Sequence, residues 1–468
     1  MSKNRTTRKF VVACGVTLLP LQFASAQPRK FGELLVQTRS ASDLNRALEN
    51  SDYAIFSERS SLFASESSNW TKVVFDENSI SLQSALEELK RNPEVTWAEP
   101  NLIYKSFQLE NDLLPPNGPY EPPLKKPALP PAAEQEPGTS DSRLFLMWAT
   151  KTLKLPEVWS LHKGNKKTIV ADIDTGIDYT HEDLISSLWR NPKEIAGDKK
   201  DNDGNGFTDD VIGWDFVNND ALPYDNGGHG THTAGIIAAT EHNSIGVAGV
   251  SPGVSLMALR FIDGKTGSGE LANALKCIRY AMDNGAMVLN NSWGGSEYSK
   301  ALSDIIELAG KKGITFVAAA GNSQSNNDVT PIYPAAYKAP NLIAVASSRR
   351  TDEMSGFSNY GAKSVHLAAP GTGIYSTLPM WARYRYGMLD GTSMAAPQVT
   401  GAAALLKSAW PQLTPVQIKS LLMTTADKLP AFEGKVKSGG RLNIFAALQT
   451  AIANFGMPEK RIETEINE

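Results

Sequence analysis

The chain has 468 residues, 41% of them hydrophobic, enough to bury a large core and to build more than one folded unit. Its formal charge of −4 gives no basic footprint for nucleic acid, and no internal apolar run is long enough to span a membrane. The only cysteines are Cys14 and Cys277, too few to staple a mature domain if the N-terminus is removed.

That N-terminus carries Lys3, Arg5, Arg8 and Lys9, then an apolar run over 10–21, then Ala24-Ser25-Ala26. A charged region, a short apolar core and a small-residue cleavage site predict a secretory signal peptide over 1–26 and an exported product. The run is short for a membrane anchor, and Cys14 lies too early in it for a lipoprotein signal.

Residues 27–110 read as a small α/β unit. A strand over 31–37 and a helix over 81–90 are followed by a second strand over 95–104, broken by Pro100. Residues 111–140 hold nine prolines and few large apolar groups, which predicts an extended linker, exposed and open to proteolysis. A larger unit follows over 141–455. Its apolar strands over 167–173, 255–260, 287–290, 315–320 and 341–346 alternate with helices, the rhythm of an α/β fold with a mostly parallel sheet covered on both faces. Residues 456–468 form a charged tail.

Three stretches of this unit carry chemistry. Asp174 ends its first strand, in Asp172-Ile173-Asp174-Thr175-Gly176, and sites form at the carboxyl ends of such strands. A polar turn would look similar. An aspartic protease would need a second Asp-Thr-Gly, and this is the only one. His229 stands in Gly227-Gly228-His229-Gly230-Thr231-His232, ahead of an Ala/Ile run with helical character. His232, three residues on, has no third ligand in a zinc-type pattern and reads as a packed helix residue. Ser393 stands in Asp390-Gly391-Thr392-Ser393-Met394-Ala395-Ala396-Pro397, at the start of a buried Ala/Leu helix with Pro397 expected in its first turn. There a serine is either an N-cap or a nucleophile beside backbone N–H groups that can hold an oxyanion.

Taken in the order Asp, His, Ser, these motifs are similar to the three active-site signatures of the subtilisin-like serine proteases (subtilases, peptidase family S8). The order and the Gly-x-Ser-x-Ala context do not suit an α/β-hydrolase. The resemblance implies that Ser393 attacks the scissile carbonyl, His229 moves its proton and Asp174 orients the imidazole. Residues 316–323 look like the family's oxyanion segment, making Asn322 a side-chain donor beside the Ser393 N–H, with Ala319 and Gly321 as substrate-binding residues. Ser292, Trp293 and Gly294 resemble its substrate-binding strand and S1 wall, whose glycines imply a broad, apolar preference. Trp293 can serve as pocket rim or as core. Residues 27–110 are similar to the inhibitor I9-like propeptide, an intramolecular inhibitor. The Pro-rich linker departs from the family, whose propeptide abuts the catalytic domain.

The implied protein is a three-layer α/β sandwich preceded by a small α/β propeptide domain. It would be a secreted, monomeric serine endopeptidase acting on polypeptides and made as an autoprocessed zymogen. Calcium is also expected. Asp201, Asp203, Asn205 and Asp209 fall at positions one, three, five and nine of an EF-type loop with Gly206 at the sixth. Its twelfth position is Ile212, so Asp210 must substitute for the usual Glu, or the loop is only a polar hairpin. The resemblance adds a second site at Asp183 and Asn243. A silent calcium-binding or adhesion protein on a protease scaffold would explain the acidic loop but not the three motifs.

Overall fold

The computed structural model describes residues 28–49, 56–66, 68–107, 125–131 and 141–458. The expected signal peptide, most of the Pro-rich segment and most of the charged tail lie outside them.

The front unit runs β1 (Arg29–Thr38), α1 (Ala41–Glu49), β2 (Phe56–Ala64), β3 (Asn69–Phe75), α2 (Leu82–Arg91) and β4 (Val95–Ser106). Its strands lie antiparallel in the order β2-β3-β1-β4. Leu34 and Val36 of β1 meet Leu44, Leu48, Ala85 and Leu89 of the two helices, so alternate residues of the strand build a one-sided core. Ser81 caps α2 by accepting from the Ser84 N–H at 3.1 Å.

The larger unit begins with α3 (Trp148–Thr152), α4 (Leu155–Leu161), β5 (Ile169–Asp174), β6 (Gly213–Asp215), α5 (His229–Ala238), β7 (Ser255–Arg260), β8 (Ile262–Asp263) and β9 (Ser268–Glu270). It continues through α6 (Leu271–Asp283), β10 (Val288–Asn291), β11 (Trp293–Gly294), α7 (Lys300–Lys311), β12 (Thr315–Ala319) and β13 (Leu342–Ser348). It closes with β14 (Leu367–Pro370), β15 (Ile374–Thr377), β16 (Tyr386–Leu389), α8 (Thr392–Ala409), α9 (Pro415–Thr424), β17 (Asp427–Lys428), β18 (Gly440–Arg441) and α10 (Ile444–Phe455). The main sheet runs β17-β18-β14-β13-β12-β10-β5-β7-β6, parallel throughout except at the β17 edge.

Each central strand is apolar on both faces because each face is covered. Val170 packs with α5, α8 and α10, while Ala171 and Ile173 pack with α6 and α7. This is the three-layer α/β sandwich expected from the sequence. Helix α8 is buried along nearly its whole length, so its Ala-rich composition lets it pass through the core as a central helix.

The front unit docks on the larger one through the N-termini of two helices. Glu99 accepts from Ser299 Oγ at 2.6 Å and from the Lys300 and Ala301 N–H groups, while Asn101 Oδ1 accepts from the Ala272 N–H at 2.9 Å. A carboxylate at the start of α7 meets both free N–H groups and the positive dipole end. β4 keeps its pairing with β1 as far as Leu102, and residues 103–106 run on into the cleft of the larger unit, between β9 and β11.

One sequence expectation needs correction. Residues 125–131 of the Pro-rich segment are not free: Lys125, Ala128 and Pro131 are exposed, but the residues between them are half-buried and tied to the larger unit. Lys126 Nζ lies 2.6 Å from Asp215 and 2.7 Å from Asp220, Tyr179 OH donates to the Pro127 carbonyl at 2.7 Å, and Arg190 to that of Pro130 at 2.8 Å. Prolines leave carbonyls unpaired in an extended chain, and here side chains of the larger unit take them up.

Candidate active site

The site forms where β5, α5, β11, β12 and α8 converge at the carboxyl end of the sheet. Asp174, the last residue of β5, is fully buried and meets His229 Nδ1 at 2.7 Å. Its other anchor is the Thr175 N–H, 2.7 Å away. Burial alone would push the His229 imidazole down, but the charge and hydrogen bond of Asp174 outweigh it, and the net shift is upward. With its proton held on Nδ1, the neutral imidazole presents Nε2 as an acceptor.

The loop that carries His229 is fixed by a residue the sequence reading missed. Asp225 accepts from Thr175 Oγ1, from the Gly227 and Gly228 N–H groups, and from both the N–H and hydroxyl of Thr231, all between 2.6 and 2.8 Å. Gly228 stands at φ +90°, which a side chain would resist, so its glycine is required by the backbone. His232 is buried and pushed down to about 3 by burial, so it is neutral and its Nε2 meets the Gly387 carbonyl at 3.2 Å. It is a packed helix residue.

Ser393 opens α8 just after the cap residue Gly391. Pro397 lies in the second turn, not the first as expected from the sequence. Its missing N–H leaves the Ser393 carbonyl without the usual partner, and Ser292 Oγ donates to that carbonyl instead at 3.0 Å. The substitution ties the nucleophile candidate to the strand beside it.

That strand holds a peptide. Ser106 and Lys105 pair antiparallel with Trp293 and Gly294, and on the other side residues 103–105 pair with β9. The Phe107 N–H donates to the Ser292 carbonyl at 3.2 Å. A Cβ on Gly294 would run into the Phe107 ring and the Tyr333 carbonyl, so its glycine makes room for that ring. The Phe107 carbonyl oxygen accepts from Asn322 Nδ2 at 2.9 Å and from Ser393 Oγ at 2.7 Å. Asn322 cannot flip, because its Oδ1 accepts from the Thr392 N–H at 2.9 Å and the Thr392 hydroxyl at 2.8 Å.

Not every expected contact is made. Ser393 Oγ points at the Phe107 and Ser292 carbonyls, not at His229, whose Nε2 makes no hydrogen bond among the described residues. The Ser393 N–H, expected as a second oxyanion donor, does not reach the Phe107 oxygen. Trp293 is fully buried, edge-on to Tyr104 and Phe261, and belongs to the core rather than to a pocket rim. Ala319 is likewise core. Gly321, at φ +106°, faces the Asn359 side chain, and its N–H donates to Thr392 Oγ1 at 3.1 Å.

The two acidic regions differ from their sequence reading in detail. Asp201 and Asp203 converge with Glu194, one carboxylate oxygen of each lying within 4.8 Å of the others. Glu194, which lies before the loop, was not anticipated, and its Oε2 is buried without a partner, so this donor set suits a hard cation. Asn205 Oδ1 accepts from the Phe207 N–H instead. Asp209 is turned to the Gly197 and Lys199 N–H groups, and Asp210 to Tyr280, Asn191 and Asn205, so neither completes that cluster. At the second region Asp183 accepts from Asn243 Nδ2 at 2.7 Å and from the Val247 N–H at 2.9 Å, and burial pushes its carboxyl up to about 7. Asp141 adds a carboxylate whose Oδ2 is buried and unpaired. Asn243 turns its Nδ2 to Asp183 and its Oδ1 to the Ile245 N–H, so the unpaired acceptor of this region is Asp141 Oδ2.

Comparisons with known proteins agree with the geometry. The profile of the subtilase family matches residues 165–445. Thermitase of Thermoactinomyces vulgaris is 38% identical over 302 residues, covering 64% of this chain and 95% of that protein. A thermophilic serine proteinase of Bacillus sp. (strain AK1) is 34% identical over 367 residues, covering 78% and 76%. Among solved structures, fervidolysin from Fervidobacterium pennivorans, a keratinolytic enzyme related to subtilisin, superposes with a TM-score of 0.68 at 26% identity. That match covers 92% of this chain and 62% of the fervidolysin chain.

Proposed function

Because this chain belongs to the subtilase family and is a serine endopeptidase, we propose that Ser393 is its nucleophile, His229 its general base and Asp174 the carboxylate that orients the base. The observation that carries the reading is the Phe107 carbonyl, held between Ser393 Oγ and Asn322 Nδ2 on a strand clasped from both sides. That is how a scissile carbonyl of an extended substrate would lie.

In this mechanism a rotation about the Ser393 Cα–Cβ bond turns the hydroxyl from the carbonyl oxygen to His229 Nε2. The imidazole takes the proton, Oγ bonds to the carbonyl carbon, and the oxygen becomes an oxyanion held by Asn322. His229 then gives the proton to the leaving amine as the peptide bond breaks. Water repeats the sequence to release the acid. Asn322→Ala should lower kcat about 10²–10³-fold with little change in KM, the scale set by the equivalent amide in subtilisin. An unchanged kcat in steady-state peptide hydrolysis would remove Asn322 from the account.

The same geometry supports a zymogen whose front unit is its own inhibitor, and the charged, apolar and small-residue pattern of residues 1–26 supports its export. Residues up to Phe107 fill the cleft as product or substrate would, so the bond between Phe107 and Gln108 is the proposed self-cleavage point. It lies ahead of the boundary at 110 expected from the sequence. The Phe107 ring against Gly294 suggests a large apolar or aromatic residue on the acyl side of the cut.

Calcium is proposed at the two acidic regions, held by Glu194, Asp201 and Asp203 and by Asp183, Asn243 and Asp141. Bound there it would neutralise carboxylates that otherwise repel. Chelation should lower the melting temperature by roughly 5 °C or more, since a ligand at about 100 times its Kd adds about 2.7 kcal/mol. Calorimetry with chelator and with added Ca²⁺ checks this, and equal melting points in both would rule calcium out as a stabiliser.

A further inference from the structure

Beneath the proposed triad lies a second buried carboxyl that the mechanism does not use. Asp172 precedes Asp174 by two residues on β5, so both project to the same face of the strand. It is wholly buried. One oxygen accepts from Asn290 Nδ2 at 2.8 Å, and the other lies 2.8 Å from Thr233 Oγ1. Asn290 in turn accepts from Thr400 Oγ1 at 2.8 Å and donates to Ser292 Oγ at 3.3 Å.

The members of this chain stand in a regular relation to the cleft. Thr233 is one turn beyond His229 on α5, on the same face of the helix. Thr400 is two turns beyond Ser393 on α8, again on the same face. Asn290 is two residues before Ser292, whose carbonyl meets both Phe107 and Ser393. Asp172 is thus the junction of a hydrogen-bonded row that joins the elements bearing all three proposed catalytic residues.

The donor count indicates its charge state. Asp172 has two donors within reach, Asn290 Nδ2 and Thr233 Oγ1, whereas the equally buried Asp225 collects five. Thr233 Oγ1 also lies 3.0 Å from the Gly230 carbonyl, so its hydroxyl can donate there and accept from a protonated Asp172. The charged groups acting on Asp172 are Asp174 on its own strand and His229 on α5. Arg260 of the neighbouring β7 is engaged by Asp215, and Asn290 of β10 and Thr400 of α8 are neutral. An ionised Asp172 would therefore add a further carboxylate to Asp174 and Asp225 around one imidazole in the interior.

We propose that Asp172 is a protonated carboxyl that acts as a positioning residue, locking β5, α5, β10 and α8 in the register the triad needs without adding a further negative charge beside His229. The inference rests on the proposed triad. Burial, reinforced by the charge of Asp174, pushes this carboxyl up to about 8, which agrees with its small number of donors.

Asp172→Asn preserves an acceptor for Asn290 and a donor for Thr233, and Asp172→Ala removes both. The His229 imidazole titration, followed by NMR in wild type and Asp172→Asn, should agree within about 0.3 unit. A fall of about one unit or more in the variant would mean that a charge was removed, and would overturn the proposal. This readout does not need peptidase activity, so an inactive wild type would count against the proposed function alone. For kcat, Asp172→Ala should lose about 10–100-fold at nearly constant KM, and Asp172→Asn should restore it. A wild-type kcat in Asp172→Ala would overturn the positioning role. If Asp172→Ala does not fold, Thr400→Val opens the same row from its far end, with the same two readings of kcat.

Discussion

Ser393→Ala is expected to lower peptide hydrolysis by about 10⁶-fold, the scale of the same loss in subtilisin. His229→Ala should match it, and the double variant should be no worse than either. The reason is that the hydroxyl and imidazole act as one unit: without the base the serine is a poor nucleophile, and without the serine the base has nothing to activate. Residual hydrolysis in all three should come from Asn322 and from strand pairing along Trp293 and Gly294, which the substitutions leave in place. Single-turnover kinetics at high enzyme concentration would read these small rates. Losses that multiply in the double variant would mean that the two residues do not share a step.

Asp174→Asn should be the next most damaging change, at about 10⁴-fold in kcat, because an amide presents the wrong partner to the imidazole Nδ1. It should also move the pH profile in a defined direction. Activity needs neutral His229, so it falls as pH drops through the imidazole titration. In the wild type Asp174 holds that titration above the ordinary histidine value, against the downward push of burial. Without the carboxylate burial loses its main opponent and only the smaller pull of neighbouring buried carboxyls such as Asp225 remains, so the acid limb should shift to lower pH while the plateau collapses. A limb that stays in place, measured as kcat/KM against pH, would mean that Asp174 does not set the imidazole's charge.

The sequence was most legible where chemistry and local structure share a few consecutive residues. Asp174, His229 and Ser393 each end or begin an element, and the residues around them announce that junction. The parallel sheet was legible for a similar reason, since strands buried on both faces read as apolar runs. What stayed hidden depends on contacts across long stretches of chain. Phe107 meets Ser393 across 286 positions, and nothing local marks a residue between a strand and a proline-rich segment as the occupant of the cleft. Asp172 looked like an ordinary strand residue because its partners Thr233, Asn290 and Thr400 sit on three other elements. Glu194 joins Asp201 and Asp203 only because the loop folds back, whereas Asp209, in step with an EF-type loop, is drawn away by backbone N–H groups. The segment 125–131 misled for another reason. Its prolines do predict an extended chain, but composition does not reveal that Lys126, Pro127 and Pro130 find partners on the larger unit.

The most direct test is the intact mass of the purified full-length protein, wild type beside Ser393→Ala. The account predicts that the wild type is cut between Phe107 and Gln108, while Ser393→Ala keeps that bond. Cutting of both proteins at the same bond, or of neither, would contradict the claim that Ser393 attacks the carbonyl lying against it.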